Sequence, residues 1–239
     1  MQPKEGWVDA SDRTGTAPPR GRFVELGHVL EDGMATYPGL PAARIGPFLD
    51  HEASRTHYEE PTEFFLGVVE IPCNVGTYLD SPFHRFREGR DLSEIPLESV
   101  AGLPGVVIDA PGEPGKGVTL HTQEDAITGR AVLVRTGWDE RWGSEGYWLG
   151  GPYLTQASVD LLVRAGAALV GVDFSNVDDT SDRSRPVHTQ LLRANVLIVE
   201  HLCDLALLPS DGFAFSAVPL RVVRGASFSV RAFAEIPSI

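Results

Sequence analysis

The chain has 239 residues, 42% of them apolar and 22% charged, the composition of a folded globular protein rather than a disordered one. Its 33 acidic residues outnumber 20 basic ones, giving a formal charge of −13. That balance excludes nucleic acid and anionic membrane as partners, because both are bound through clustered Lys and Arg, and leaves a small molecule as the expected one.

Residues 1–22 are rich in Pro, Gly and polar side chains and lack the apolar segment of a secretion signal. They read as a flexible leader ahead of one catalytic domain over 23–239, in a cytoplasmic setting. No run of about 18 apolar residues could cross a bilayer. Cys73 and Cys203 form neither a disulfide framework nor a zinc-type pair, and both read as reduced and buried.

Along the chain, residues 23–26 (Phe-Val-Glu-Leu) have the composition of a strand. Residues 34–47 hold three prolines and two glycines and predict an irregular loop, of the kind that rims a site. Strand signals follow at 64–71, 105–109 and 131–135. Thr155 is a candidate N-cap for a helix reaching Ala165, with Ala157, Leu161, Leu162 and Ala165 at helical spacing. The run 168–173 reads as a strand buried on both faces. A short helix over 188–193 then precedes the apolar run 196–199, which ends at Glu200. Residues 214–234 alternate apolar stretches with Pro219 and Gly225, as strands joined by turns do. This rhythm predicts an α/β domain with a mixed central sheet, or barrel-like β core, flanked by helices.

The densest chemistry lies over 74–84, Asn-Val-Gly-Thr-Tyr-Leu-Asp-Ser-Pro-Phe-His. Its polar groups Asn74, Tyr78, Asp80 and His84 fall on even positions, so an extended backbone sends all four to one side. The same pattern also describes a solvated surface strand. Glu200 adds weight to the first reading, since a carboxylate that terminates a buried strand needs a partner or a metal. A lone histidine such as His188 is more often a hydrogen-bonded loop residue than a ligand.

The segment resembles the motif His-x-Gly-Thr-His-x-Asp-x-Pro-x-His of the cyclase and bacterial kynurenine formamidase-like family of metal-dependent hydrolases; five of its seven defined positions match. The family's late His, with a Glu twelve residues on, is similar to His188 and Glu200, and the likeness runs over roughly 23–236. It implies the swivelling β/β/α fold, a homodimer or homotetramer, and one or two divalent ions. Carried over by position, Asp80, His188 and Glu200 become metal ligands, His84 the general acid/base, and Tyr37 the substrate-stacking aromatic. Asn74 and Tyr78 stand where the family has imidazoles. A remaining donor set of Asp80, Glu200, His188 and the Asn74 amide oxygen implies Mn or Zn, with Mg behind them, or no metal at all. Tyr78 then becomes a proton donor in the catalytic set or a packing aromatic.

Three functions follow. One is a metal-dependent hydrolase or cyclase acting on a small amide, lactone or carbonyl compound, with the two replaced imidazoles pointing away from kynurenine formamidase activity itself. Another is a metal-independent acid/base cyclase or dehydratase of a polyketide-like secondary metabolite, and the third is a non-catalytic binding relative. The aromatic stretch of Trp138, Trp142, Tyr147 and Trp148 reads as core or interface packing, or as the wall of a pocket for a flat substrate.

Overall fold

The computed structural model describes residues 21–37, 39–148 and 150–238, so most of the expected leader and Pro38 lie outside the described residues. In chain order the strands are β1 (Arg22–Glu25), β2 (Arg44–Leu49), β3 (Leu66–Glu70), β4 (Tyr78–Asp80), β5 (Leu103–Asp109), β6 (Gly117–Val118), β7 (Ala131–Arg135), β8 (Tyr153–Leu154), β9 (Leu169–Val172), β10 (Leu197–Glu200), β11 (Asp211–Ser216), β12 (Ser227–Ser229) and β13 (Phe233–Ile236). The helices are α1 (His51–Ser54), α2 (Glu145–Trp148), α3 (Gln156–Ala165) and α4 (Pro186–Arg193).

Nine strands form one mixed sheet in the order β1-β13-β11-β5-β7-β9-β10-β4-β12. Its centre, β5-β7-β9-β10, is parallel, and antiparallel strands close both sides. The parallel centre arises where helices carry the chain back across one face: α3 joins β8 to β9 and α4 lies between β9 and β10. These strands are buried on both sides, so they read as unbroken apolar runs. Strand alternation divides them between two cores. Val132, Val134, Val170, Val172 and Ile198 pack under α3 and α4 against Val159, Leu162, Leu191 and Leu192. Leu133, Leu169, Leu197 and Val199 face the other way, onto Leu26, Leu79, Phe213 and Phe215.

Helix α3 begins as its sequence predicts, with the Thr155 side chain accepting from the Ser158 N–H, and ends at Gly166 in the left-handed conformation. Two expectations are corrected. The segment 34–47 is not wholly irregular: β2 starts at Arg44 and contains Pro47, tolerated because the β2–β3 ribbon has only two strands and its register shifts beside that residue. Cys73 is exposed and Cys203 half-buried rather than both buried, although both are free thiols. Cys73 lies in the turn between β3 and β4, where the chain leaves the exposed ribbon for the core.

Candidate active site

Register is what assembles the site. Antiparallel pairing sets Tyr78 opposite Glu200 and Asp80 opposite Ile198, so Tyr78, Asp80 and Glu200 share one face of β4 and β10 while Leu79 and Val199 share the other. That face is the one α4 covers, and α4 brings His188 down onto it. On the far side of β4, β12 pairs Ser227 with Asp80.

The motif's structural residues explain the bend after Cys73. Gly76 has φ +64°, and a Cβ there would come within 2.6 Å of the Leu30 side chain, so the position needs glycine twice over. Thr77 turns inward, accepting from the His28 N–H at 3.0 Å and donating to the His201 carbonyl. Pro82 opens a single 3-10 turn, Pro82–His84, which swings His84 back over the site. Only Tyr78–Asp80 of the 74–84 stretch is strand, yet the even-position side chains Asn74, Tyr78 and His84 do line one cavity.

That cavity, of about 220 Å3, is also bordered by Tyr37, Leu40, Arg85, Asn176, Arg185, His188 and Glu200, with Asp80 buried behind it. Asp80, His84 and His188 each offer a ligand atom, all within 4.8 Å of one another. His188 Nε2 lies 3.6 Å from Asp80 Oδ2 and 3.8 Å from Glu200 Oε1. Its other nitrogen, Nδ1, is 2.6 Å from Asp178 Oδ2. Asp178 also accepts from the backbone N–H groups of Val187 and His188 at the start of α4, at 2.7 and 3.1 Å. Ser227 Oγ donates to Asp80 Oδ1 and stands 3.1 Å from His84 Nδ1.

Burial and charge set the protonation of these groups. Burial works against a charge on His188, but the Asp178 hydrogen bond, with Asp80 and Glu200, outweighs it and raises the imidazole to about 10. Asp80 is likewise penalised by burial, yet His84, His188 and Ser227 hold its carboxyl below the usual range. Glu200 goes the other way: burial lifts it, His188 opposes and Asp80 adds repulsion, leaving it at about 7. Burial and then the Glu200 charge push the Tyr78 phenol well above its ordinary value, so it stays protonated. It donates to Glu200 Oε2, while Glu200 Oε1 accepts from the Val177 N–H at 2.7 Å.

A divalent ion fits this arrangement on two observations. Asp80 Oδ2 is buried without a hydrogen-bond partner among the described residues, a costly state that a cation would relieve. The Asp178 carboxylate fixes the His188 ring so that Nε2 faces the cavity, the orienting contact that metal-binding imidazoles share.

The other expected residues fall into place unevenly. Tyr37 reaches the cavity and is tied through its hydroxyl to the Ser175 carbonyl and the Asn176 amide, with Tyr78 Oη 3.4 Å away. The aromatic stretch packs together and is not among the residues that line that cavity. Trp138 and Tyr147 are buried, and the rings of Trp142, Tyr147 and Trp148 surround His201 at 5.5–5.6 Å. Sequence reasoning missed Asp178, Ser227, Asn176, Arg85 and Arg185. Asp178 lies ten residues before His188, a separation no motif marks. Arg85, next to His84, could have been found by extending the motif one residue.

Residues 24–179 match the sequence model of the family described as "Putative cyclase". The chain belongs to the cyclase family. This cyclase-family enzyme is 28% identical over 219 residues to a kynurenine formamidase of Salinibacter ruber, covering 88% of this chain and 95% of the relative. Its fold is that of isatin hydrolase A from Ralstonia solanacearum, with TM-score 0.77, 23% identity and 90% and 92% of the two chains covered. It is also that of a "potential metal-dependent hydrolase with cyclase activity", with TM-score 0.69, 19% identity and 91% and 99% covered. The mixed sheet core with flanking helices expected from the sequence is therefore the cyclase-family fold. No helix among the described residues is long and apolar enough to cross a membrane.

Proposed function

We propose that the protein is a metal-dependent hydrolase that cleaves the acyl bond of a small amide or lactone. The observation that carries this reading is the convergence of Asp80, His84 and His188 on the cavity around an unpartnered carboxylate oxygen. Asp80 and His188, with Glu200 beside them, would hold a Mn or Zn ion, and the Asn74 amide lines the same cavity. A divalent ion there supplies Lewis-acid polarisation of a carbonyl and acidifies water.

The side chains divide the remaining work. His84 is the proton carrier: at 35% exposure it is the one ionisable group of the four with solvent access, and a group that takes and returns protons needs that route. Ser227 Oγ, 3.1 Å from His84 Nδ1, orients the ring. Asp178 orients His188, and Tyr78 with the Val177 N–H orients Glu200. Tyr37, anchored at its hydroxyl, offers its ring as a wall for a flat substrate. Kynurenine formamidases among the relatives and isatin hydrolases among the fold neighbours act on small acyl–nitrogen compounds by their names, which supports the amide class.

A second reading, an acid/base cyclase without an ion, is supported by the Tyr78–Glu200 hydrogen bond, which makes a protonated phenol and a carboxylate one proton-sharing pair. Elemental analysis of protein purified without chelators separates the two, combined with hydrolysis assays on formanilide and simple lactones. The expected result is near-stoichiometric Mn or Zn that is lost in Asp80→Ala and retained in His84→Gln, with His84→Gln lowering kcat by about 10²-fold or more. A folded, metal-free native protein that does not respond to added Mn or Zn removes the hydrolase reading and leaves the acid/base one.

A further inference from the structure

In a chain of net charge −13, the cavity has a basic rim. Arg85 and Arg185 both line it, and neither makes an ion pair within 4 Å among the described residues. Asp182 feels the Arg185 charge from beyond that distance. A single residue links the Arg85 side chain to the Arg185 backbone. Thr189 Oγ1 accepts from Arg85 Nε at 2.8 Å and donates to the Arg185 carbonyl at 2.7 Å. Arg185 Nη1 is in turn tied to the Asp179 carbonyl at 3.2 Å. Arg185 also sits at φ 50°, a left-handed conformation that β-carbon-bearing residues avoid, and here it places the residue at the N-cap of α4 beside the cavity. Arg85 therefore keeps both Nη groups, and Arg185 its Nη2, for a further acceptor.

We infer that the substrate of this cavity is an anion, a small acyl compound carrying a carboxylate, and that Arg85 and Arg185 are the specificity-determining residues that receive it. A guanidinium pairs with a carboxylate through parallel N–H donors, and stems already held by Thr189 and Asp179 lose less freedom on binding than free side chains would. The Asp80 and Glu200 carboxylates lie deeper, beside His188, so an anionic group is recognised at the rim while the bond to be cleaved points inward. This inference rests on the hydrolase reading for its reaction, but recognition itself is measurable without turnover.

The test uses benzoate and benzamide, which share shape and differ in charge, titrated calorimetrically into the full-length metal-loaded protein. The expected result is benzoate binding about tenfold or more tighter than benzamide, the scale of charge-assisted hydrogen bonds, and weakening with added salt. Arg85→Gln should remove most of that preference, Arg185→Gln likewise, and Arg85→Lys should keep part of it. Thermal melts of each variant check folding, and Arg85, exposed and outside the core, carries the conclusion if Arg185→Gln fails to fold. Equal affinity for the two compounds, absence of binding included, overturns the inference. So does a benzoate preference unchanged in Arg85→Gln, which would assign it to the ion. Benzoate discrimination that depends on the arginines, in a protein that hydrolyses none of formanilide, 4-formamidobenzoate and simple lactones, upholds the anion site and removes the hydrolase reading alone.

Discussion

Asp178 Oδ2 lies 2.6 Å from His188 Nδ1, and the same carboxylate accepts two backbone N–H groups at the start of α4. One residue thus anchors the helix and chooses which imidazole nitrogen faces Asp80.

Replacing that carboxylate should cost metal affinity more than stability. Asp178→Asn keeps the size and an acceptor but removes the charge that holds the ring, and affinity for Mn or Zn should fall about 10- to 100-fold. Competition titration against a chromophoric chelator measures it, with circular dichroism to show that α4 is intact. Unchanged affinity would mean that His188 is oriented by its packing alone.

A second prediction concerns the frame rather than the site. Asp173, at the end of β9, is fully buried and accepts from the Thr136 N–H at 2.7 Å, the Gly137 N–H at 2.8 Å and the Thr136 hydroxyl. Burial pushes its carboxyl up to about 6 against those three donors. Asp173→Ala leaves the donors unpaired where β7 ends and should destabilise the protein by about 3 kcal/mol. Urea denaturation would show this as a lower midpoint at unchanged slope; a loss below about 1 kcal/mol would mean that water replaces the carboxylate there.

The pH dependence of stability should carry a mark of His28. Its ring stacks on Trp142 at 3.7 Å, and burial lowers it from 6.5 to about 4, with Asp204 opposing. Because the folded chain resists the proton that the unfolded chain accepts, the stability contributed by His28 is complete above about 6.5 and is lost as pH falls towards 4. Thermal melting across that window should therefore fall less steeply for His28→Gln than for the native protein. Parallel curves would show that His28 opens to solvent before it titrates.

Much of this molecule was legible in order along the chain. Apolar runs marked β7, β9 and β10, Thr155 marked the start of α3, and the motif singled out Gly76, Thr77, Asp80 and His84. These features are local: a strand buried on both faces must be apolar, the Thr155 cap is a short polar residue, and the left-handed bend at position 76, crowded by Leu30, must be glycine. The even spacing of Tyr78 and Asp80 likewise foretold a shared face, since strand alternation is a property of the backbone. What the chain order could not show is who stands opposite whom. That Tyr78 closes on Glu200, that Asp178 turns His188, that Ser227 meets Asp80 and that Arg85 reaches Thr189 all depend on pairings across 10 to 147 residues. Those pairings are decided by sheet register and by the docking of α4, where many small packing energies act together and no single residue announces the result.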